Sequence, residues 1–69
     1  MAYKIKYDSD GDILSILLRE GQFSHSEELG DIIVHVDENG EPLFLELMNA
    51  SELVPLMVRA LALGEVAVD

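Results

Sequence analysis

Ile32-Ile33-Val34-His35-Val36-Asp37-Glu38-Asn39-Gly40-Glu41-Pro42-Leu43-Phe44-Leu45-Glu46-Leu47-Met48 is the stretch that decides the fold. Asn39-Gly40 suits a two-residue type I′ turn, whose two central residues both take positive φ. Before it, Ile32, Val34 and Val36 alternate with Ile33 and His35, the period of a β-strand. After it, Leu43, Leu45 and Leu47 share one side, and Phe44, Glu46 and Met48 the other. Pro42 stands at the start of the returning strand, where a missing N–H costs least. The stretch therefore predicts an antiparallel hairpin.

Upstream, Tyr3-Lys4-Ile5-Lys6-Tyr7 alternates strictly, with the aromatic and aliphatic residues on one face and the lysines on the other. Asp8-Ser9-Asp10-Gly11-Asp12 reads as a turn. Ile13 to Leu18 reads as a second strand, apolar on both faces apart from Ser15, and the two strands form a hairpin. Phe23 to Glu28 is polar apart from Phe23 and reads as a short edge segment at most. Leu29-Gly30-Asp31 is a further turn.

Downstream, Asn49 or Ser51 can cap a helix. Pro55 predicts a break: one turn around Ala50 to Leu53, then a regular helix from Pro55 to Leu63, ended by Gly64. Glu65 to Asp69 reads as a frayed tail or a short strand. Strands followed by a helix give the expected fold class, α+β: an antiparallel β-meander of about four strands, then one C-terminal helix packed on the sheet. Sixty-nine residues hold one domain, spanning 1–69.

Fourteen Asp and Glu against four Lys and Arg give a net charge of −10. Nucleic-acid affinity comes mainly from Lys and Arg displacing counterions, so the chain is not expected to bind nucleic acid by itself. Anionic membranes are disfavoured on the same ground, and a basic protein partner is favoured. No apolar run approaches the ~20 residues that span a bilayer, and the N-terminus lacks the apolar core of a signal peptide. With no cysteine present, the expected location is cytoplasmic.

No constellation for chemistry emerges. Asp8, Asp10 and Asp12 crowd one loop, but the spacing fails the EF-hand pattern: Gly11 stands fourth from Asp8 and Arg19 twelfth. His25 and His35 share no metal-ligand spacing. His25 faces away from Ser24 and Ser26, so no nucleophile–base pair forms there. No cofactor, metal or catalytic residue is expected, and the chain is read as a non-enzyme. Glu46 either faces solvent or pairs inward with Lys4, Lys6 or Arg19.

The helix is the most informative segment. Arg59 is the sole charge between Leu53 and Leu63. Leu53, Met57, Ala60 and Leu61 form one stripe, while Leu56, Val58 and Leu63 spread apolar surface onto other sides. One small sheet buries a stripe roughly 100° wide or more, and this helix offers more. Leu53, Leu56, Met57, Val58, Leu61 and Leu63 are therefore the expected self-association surface of a homodimer or higher homo-oligomer.

Ile5-Lys6-Tyr7-Asp8 with Asp12, then Val34-His35-Val36-Asp37-Glu38-Asn39-Gly40, then Leu45-Glu46-Leu47-Met48-Asn49-Ala50-Ser51, resembles the small prokaryotic family catalogued as domain of unknown function 2283. The resemblance covers residues 3 to 53. Ser15 and Phe44 depart from it, standing where an aromatic and a Gly are usual. It implies structural roles for Tyr7, Asp8, Asp12, Asn39, Gly40, Glu46 and Ser51: turn, strand pairing and helix cap. It also implies small basic partner proteins, in the style of toxin–antitoxin pairs. The expected function is a non-enzymatic protein-interaction module, an antitoxin-like neutraliser of a small basic protein. The alternative is a metal- or small-ligand-binding domain using the loop Asp8 to Asp12.

Overall fold

The structure, a computed structural model, describes residues 3–64. The tail read as Glu65 to Asp69 lies outside the described residues. Five strands precede one helix: β1 (Lys4–Asp8), β2 (Ile13–Leu17), β3 (His25–Leu29), β4 (Ile32–Val36), β5 (Pro42–Leu47) and α1 (Ala50–Leu63). The α+β class holds, with five strands rather than four. The polar segment read as a short edge piece is the full strand β3. Gly30, with φ 61, turns it tightly into β4, and Leu29 pairs with Ile32. An edge strand needs no apolar face, which is why its alternation was hidden.

All pairings are antiparallel, in the order β1-β2-β5-β4-β3. The chain therefore departs from a plain meander: β5 enters the middle of the sheet between β2 and β4. The connection from β2 to β3 passes the end of β5, where Leu18 and Arg19 donate N–H bonds to the Leu43 carbonyl.

The turn between β4 and β5 is not type I′. Gly40 has φ 81, but Asn39 is absent from the positive-φ residues. The Gly40 N–H donates to the Asp37 carbonyl at 3.0 Å, and Asp37 N–H to the Glu41 carbonyl at 3.0 Å. This is a three-residue loop, a type I turn followed by a left-handed glycine. Asp37 selects it, because its Oδ1 accepts the N–H groups of Asn39 and Glu41, both at 2.9 Å. The extra loop residue pairs Val36 with Pro42, while His35 pairs with Phe44. Leu43 is thus an unmatched residue, a bulge that restores the register.

That register fixes the two faces of the sheet. Tyr7, Leu14, Leu47, Ile32 and Leu29 line up across the strands, as do Ile5, Ile16, Leu45, Val34 and Glu27. These rows form an aliphatic face. The intervening rows, Lys6-Ser15-Glu46-Ile33-Glu28 and Lys4-Leu17-Phe44-His35-Ser26, form a mixed face. The buried core is small: Val36, Leu43, Leu47 and Ala50.

Helix α1 is continuous through Pro55, so the predicted break does not occur. Pro55 is its sixth residue, and its ring removes one N–H bond close to the start. Asn49 holds the N-cap position in a left-handed conformation with no side-chain bond, so neither it nor Ser51 caps the helix in the expected way. Gly64 ends it as predicted, with φ 70 and its N–H on the Leu61 carbonyl.

Candidate functional site

The cap comes instead from the β1–β2 turn. Asp12, itself left-handed at φ 54, sends its carboxylate to the helix start. Oδ1 accepts the Ser51 N–H at 2.9 Å and the Tyr7 hydroxyl at 2.6 Å; Oδ2 accepts the Ser51 hydroxyl at 2.7 Å. The Asp12 carbonyl takes the Ala50 N–H at 3.0 Å. A carboxylate at a helix N-terminus also meets the positive end of the helix dipole. The Tyr7 and Ser51 hydrogen bonds hold the Asp12 carboxyl below its usual range, and the Asp12 bond pushes the Tyr7 hydroxyl above its own. Because Tyr7 rises from the aliphatic face, the helix begins on that side of the sheet.

Asp8 stays local, its Oδ1 accepting the Asp10 N–H at 3.1 Å. The acidic loop is therefore split, with Asp12 engaged by Tyr7 and Ser51. Among the described residues no three His, Cys, Asp or Glu side chains come together as metal ligands do.

On the mixed face, Glu46 pairs with none of the bases first considered. Its Oε1 lies 2.8 Å from His35 Nε2, and both side chains are about three-quarters covered, at 24% and 29% exposure. Phe23 stacks on the His35 ring at 5.3 Å between centroids, and His35 lies 5.4 Å from Phe44. Arg19 instead meets Asp37 Oδ2 at 2.7 Å. The Asp37 carboxyl is held below its usual range by the N–H groups of Glu41 and Asn39 and by this guanidinium. A polar cleft of 330 Å³ opens beside it between Gln22, Phe23, Ser24 and Asp37 to Asn39. His25 lies 3.9 Å from Glu27, and both are exposed. The pairing of His35 with Glu46 and the stacking of Phe23 escaped the sequence reading. The hairpin register carried the first of these, since it makes His35 and Glu46 diagonal neighbours.

The helix carries exposed apolar side chains. Ala50 is 3% exposed, Met57 42% and Leu61 77%, although all three lie on one stripe. Of the stripe Leu53, Met57, Ala60 and Leu61, Leu53 and Ala60 are half-buried, whereas Met57 and Leu61 are exposed. Leu53 is half-buried, and Leu56, Val58 and Leu63 on the flanks are exposed. At the β1 edge of the aliphatic face, Ile5 and Tyr7 are exposed as well. Among the described residues no helix is long and apolar enough to cross a membrane.

Comparison with known proteins adds kinship and no activity. An uncharacterized protein of Methanocaldococcus jannaschii is 36% identical over 53 residues. The match covers 77% of this chain and 46% of that protein, so the chain spans just under half the length of the curated relative it matches. No solved structure matches. The model of the family described as Protein of unknown function (DUF2283) matches residues 4–51, from the first strand to the Ser51 that Asp12 holds, and the chain belongs to that family.

Proposed function

We propose that this domain is a non-enzymatic protein-interaction module that self-associates through α1 and offers its acidic exterior to a basic protein. One observation carries the reading: Leu56, Met57, Val58, Leu61 and Leu63 of the helix are all exposed, Leu61 to 77%. A large uncovered apolar surface marks an interaction site in a folded chain. The rest of the surface carries most of the 14 acidic side chains, which steer a cationic partner by long-range attraction. An antitoxin-like neutralisation of a small basic protein is the specific form of this proposal, and the cytoplasm is its setting. Sedimentation equilibrium at micromolar concentration tests the self-association: a mass above the 7.6 kDa of one chain is expected. A stable monomer overturns it.

A further inference from the structure

We propose that the cleft beside Phe23 receives an arginine side chain of the basic partner, its guanidinium laid on the Phe23 ring and paired with Glu38. The inference rests on the basic partner proposed above and names where that partner is gripped.

Three rings build the platform. Phe23 is stacked on His35 with centroids 5.3 Å apart and on Phe44 at 6.3 Å, both within 22° of parallel. His35 and Phe44 are themselves only 5.4 Å apart. Rings on opposite faces of Phe23 would stand apart by nearly the sum of the two stacking distances, so both back the same face. The other face is free, and Phe23 is 52% exposed although it has no polar group to offer water. The chain beside it is fixed, because the Ser24 N–H donates to the Val36 carbonyl at 2.8 Å.

The chemistry of the cleft selects a cation. Its 330 Å³ is at the low end of the ~300–1,000 Å³ of pockets that enclose whole small molecules, and it suits the end of one side chain. The two charged residues that line it, Asp37 and Glu38, are both acidic. Asp37 is already engaged, by the N–H groups of Asn39 and Glu41 and by Arg19. Among the described residues no cation pairs with Glu38. An open aromatic face attracts a cation through the ring quadrupole, and a carboxylate beside it adds a charged acceptor. Arginine suits this better than lysine, because a planar guanidinium stacks on a ring while its edge donates to acceptors at the side. Gln22 and Asn39, which also line the cleft, carry amide oxygens of that kind.

The test is a titration of the full ¹⁵N-labelled chain at low salt with a capped glycine–arginine–glycine peptide, followed by amide shifts. Saturable shifts at Phe23 and at Asp37 to Asn39 are expected, and they should be absent with the citrulline counterpart, which keeps the shape and loses the charge. Phe23→Leu keeps an apolar cover on His35 but loses the ring face, so it should weaken binding at least about threefold. Glu38→Gln, on an exposed turn, should weaken it as well and leave the fold intact. A lysine peptide that binds equally well, or free arginine that binds more tightly than the peptide, overturns the proposal. A peptide of six arginines that binds while shifting only other residues overturns this cleft and leaves the acidic exterior as the partner surface. Binding of neither arginine peptide overturns both.

Discussion

Asp12 and Ser51 are 39 residues apart, yet both oxygens of the Asp12 carboxylate accept from Ser51, one from its N–H and the other from its hydroxyl. This pair joins the first hairpin to the helix, and it sets where the helix leaves the sheet. Ser51→Ala keeps the backbone bond and loses one hydroxyl bond, so it should cost about 0.5–1.5 kcal/mol in urea unfolding. Asp12→Asn retains a residue that tolerates the left-handed backbone but loses the charge. It should lower the urea midpoint more than Ser51→Ala does. The opposite ranking would show that the carboxylate does not hold the helix.

The same cluster makes stability pH-dependent at both ends. Asp12 and Asp37 have lowered folded-state values relative to the ordinary 3.8. The stability they contribute is present in full above that ordinary value and is lost as pH falls through the lowered one. Tyr7 is raised above its ordinary 10.0, so its contribution is complete below pH 10.0 and lost as pH rises through the raised value. Thermal unfolding followed across pH should show both flanks. In Tyr7→Phe the tyrosine contribution to the alkaline flank should vanish.

Leu43 is fully buried, with Gly21 against it: a Cβ added at Gly21 would lie 3.1 Å from Leu43 Cδ2. Leu43→Ala should cost roughly 2–5 kcal/mol. Gly21→Ala alone crowds the leucine, while in the double variant the added methyl enters the vacated space. The two costs should therefore be less than additive by denaturant titration.

On the mixed face, Glu46→Ala should cost about 1–2 kcal/mol by removing the partner of a largely covered His35. Glu46→Gln, which keeps an oxygen acceptor, should recover much of it. Equal losses in the two variants, measured by urea unfolding, would mean that charge rather than hydrogen bonding matters there.

Salt separates the two proposed kinds of association by sign. Two copies each carrying −10 repel, so self-association should tighten as salt screens them. Binding of a basic protein should weaken with salt, chiefly through a slower association rate. Sedimentation and stopped-flow measurements between roughly 0.05 and 0.5 M salt, where the Debye length shrinks from above 10 Å toward a few ångströms, check both.

The legible parts of the fold were those with a strong local period. β1, β4 and β5 announced themselves because Tyr3 to Tyr7 and Ile32 to Leu47 alternate, β2 because Ile13 to Leu18 is an apolar run broken only by Ser15, and Gly64 marked the helix end. β3 was legible only as a short edge segment because His25 to Leu29 is polar apart from Leu29 and lies at an edge. Asn39-Gly40 located the turn but not its type, since a glycine at positive φ serves two loop lengths and Asp37 chooses between them. Asp12 and Ser51 were each singled out, but their contact depends on how β1 and β5 sit in the sheet. The exposed helix was legible as an excess of apolar residues. Which of them stay open was not, because Met57, Ala60 and Leu61 share a stripe, yet Ala60 is half-buried and the other two are exposed.

The three-residue loop at Gly40 and the bulge at Leu43 cancel each other's effect on parity. Removing one residue from either place alone would shift the rest of β5 by one step and turn Leu45 and Leu47 to the mixed face, with Glu46 moving to the aliphatic one. Removing one from each would leave every row of the sheet as it is, joined by a shorter loop. Length changes in this hairpin therefore keep the rows of the sheet only in pairs, and a pair that takes out Leu43 also removes a fully buried side chain of the core.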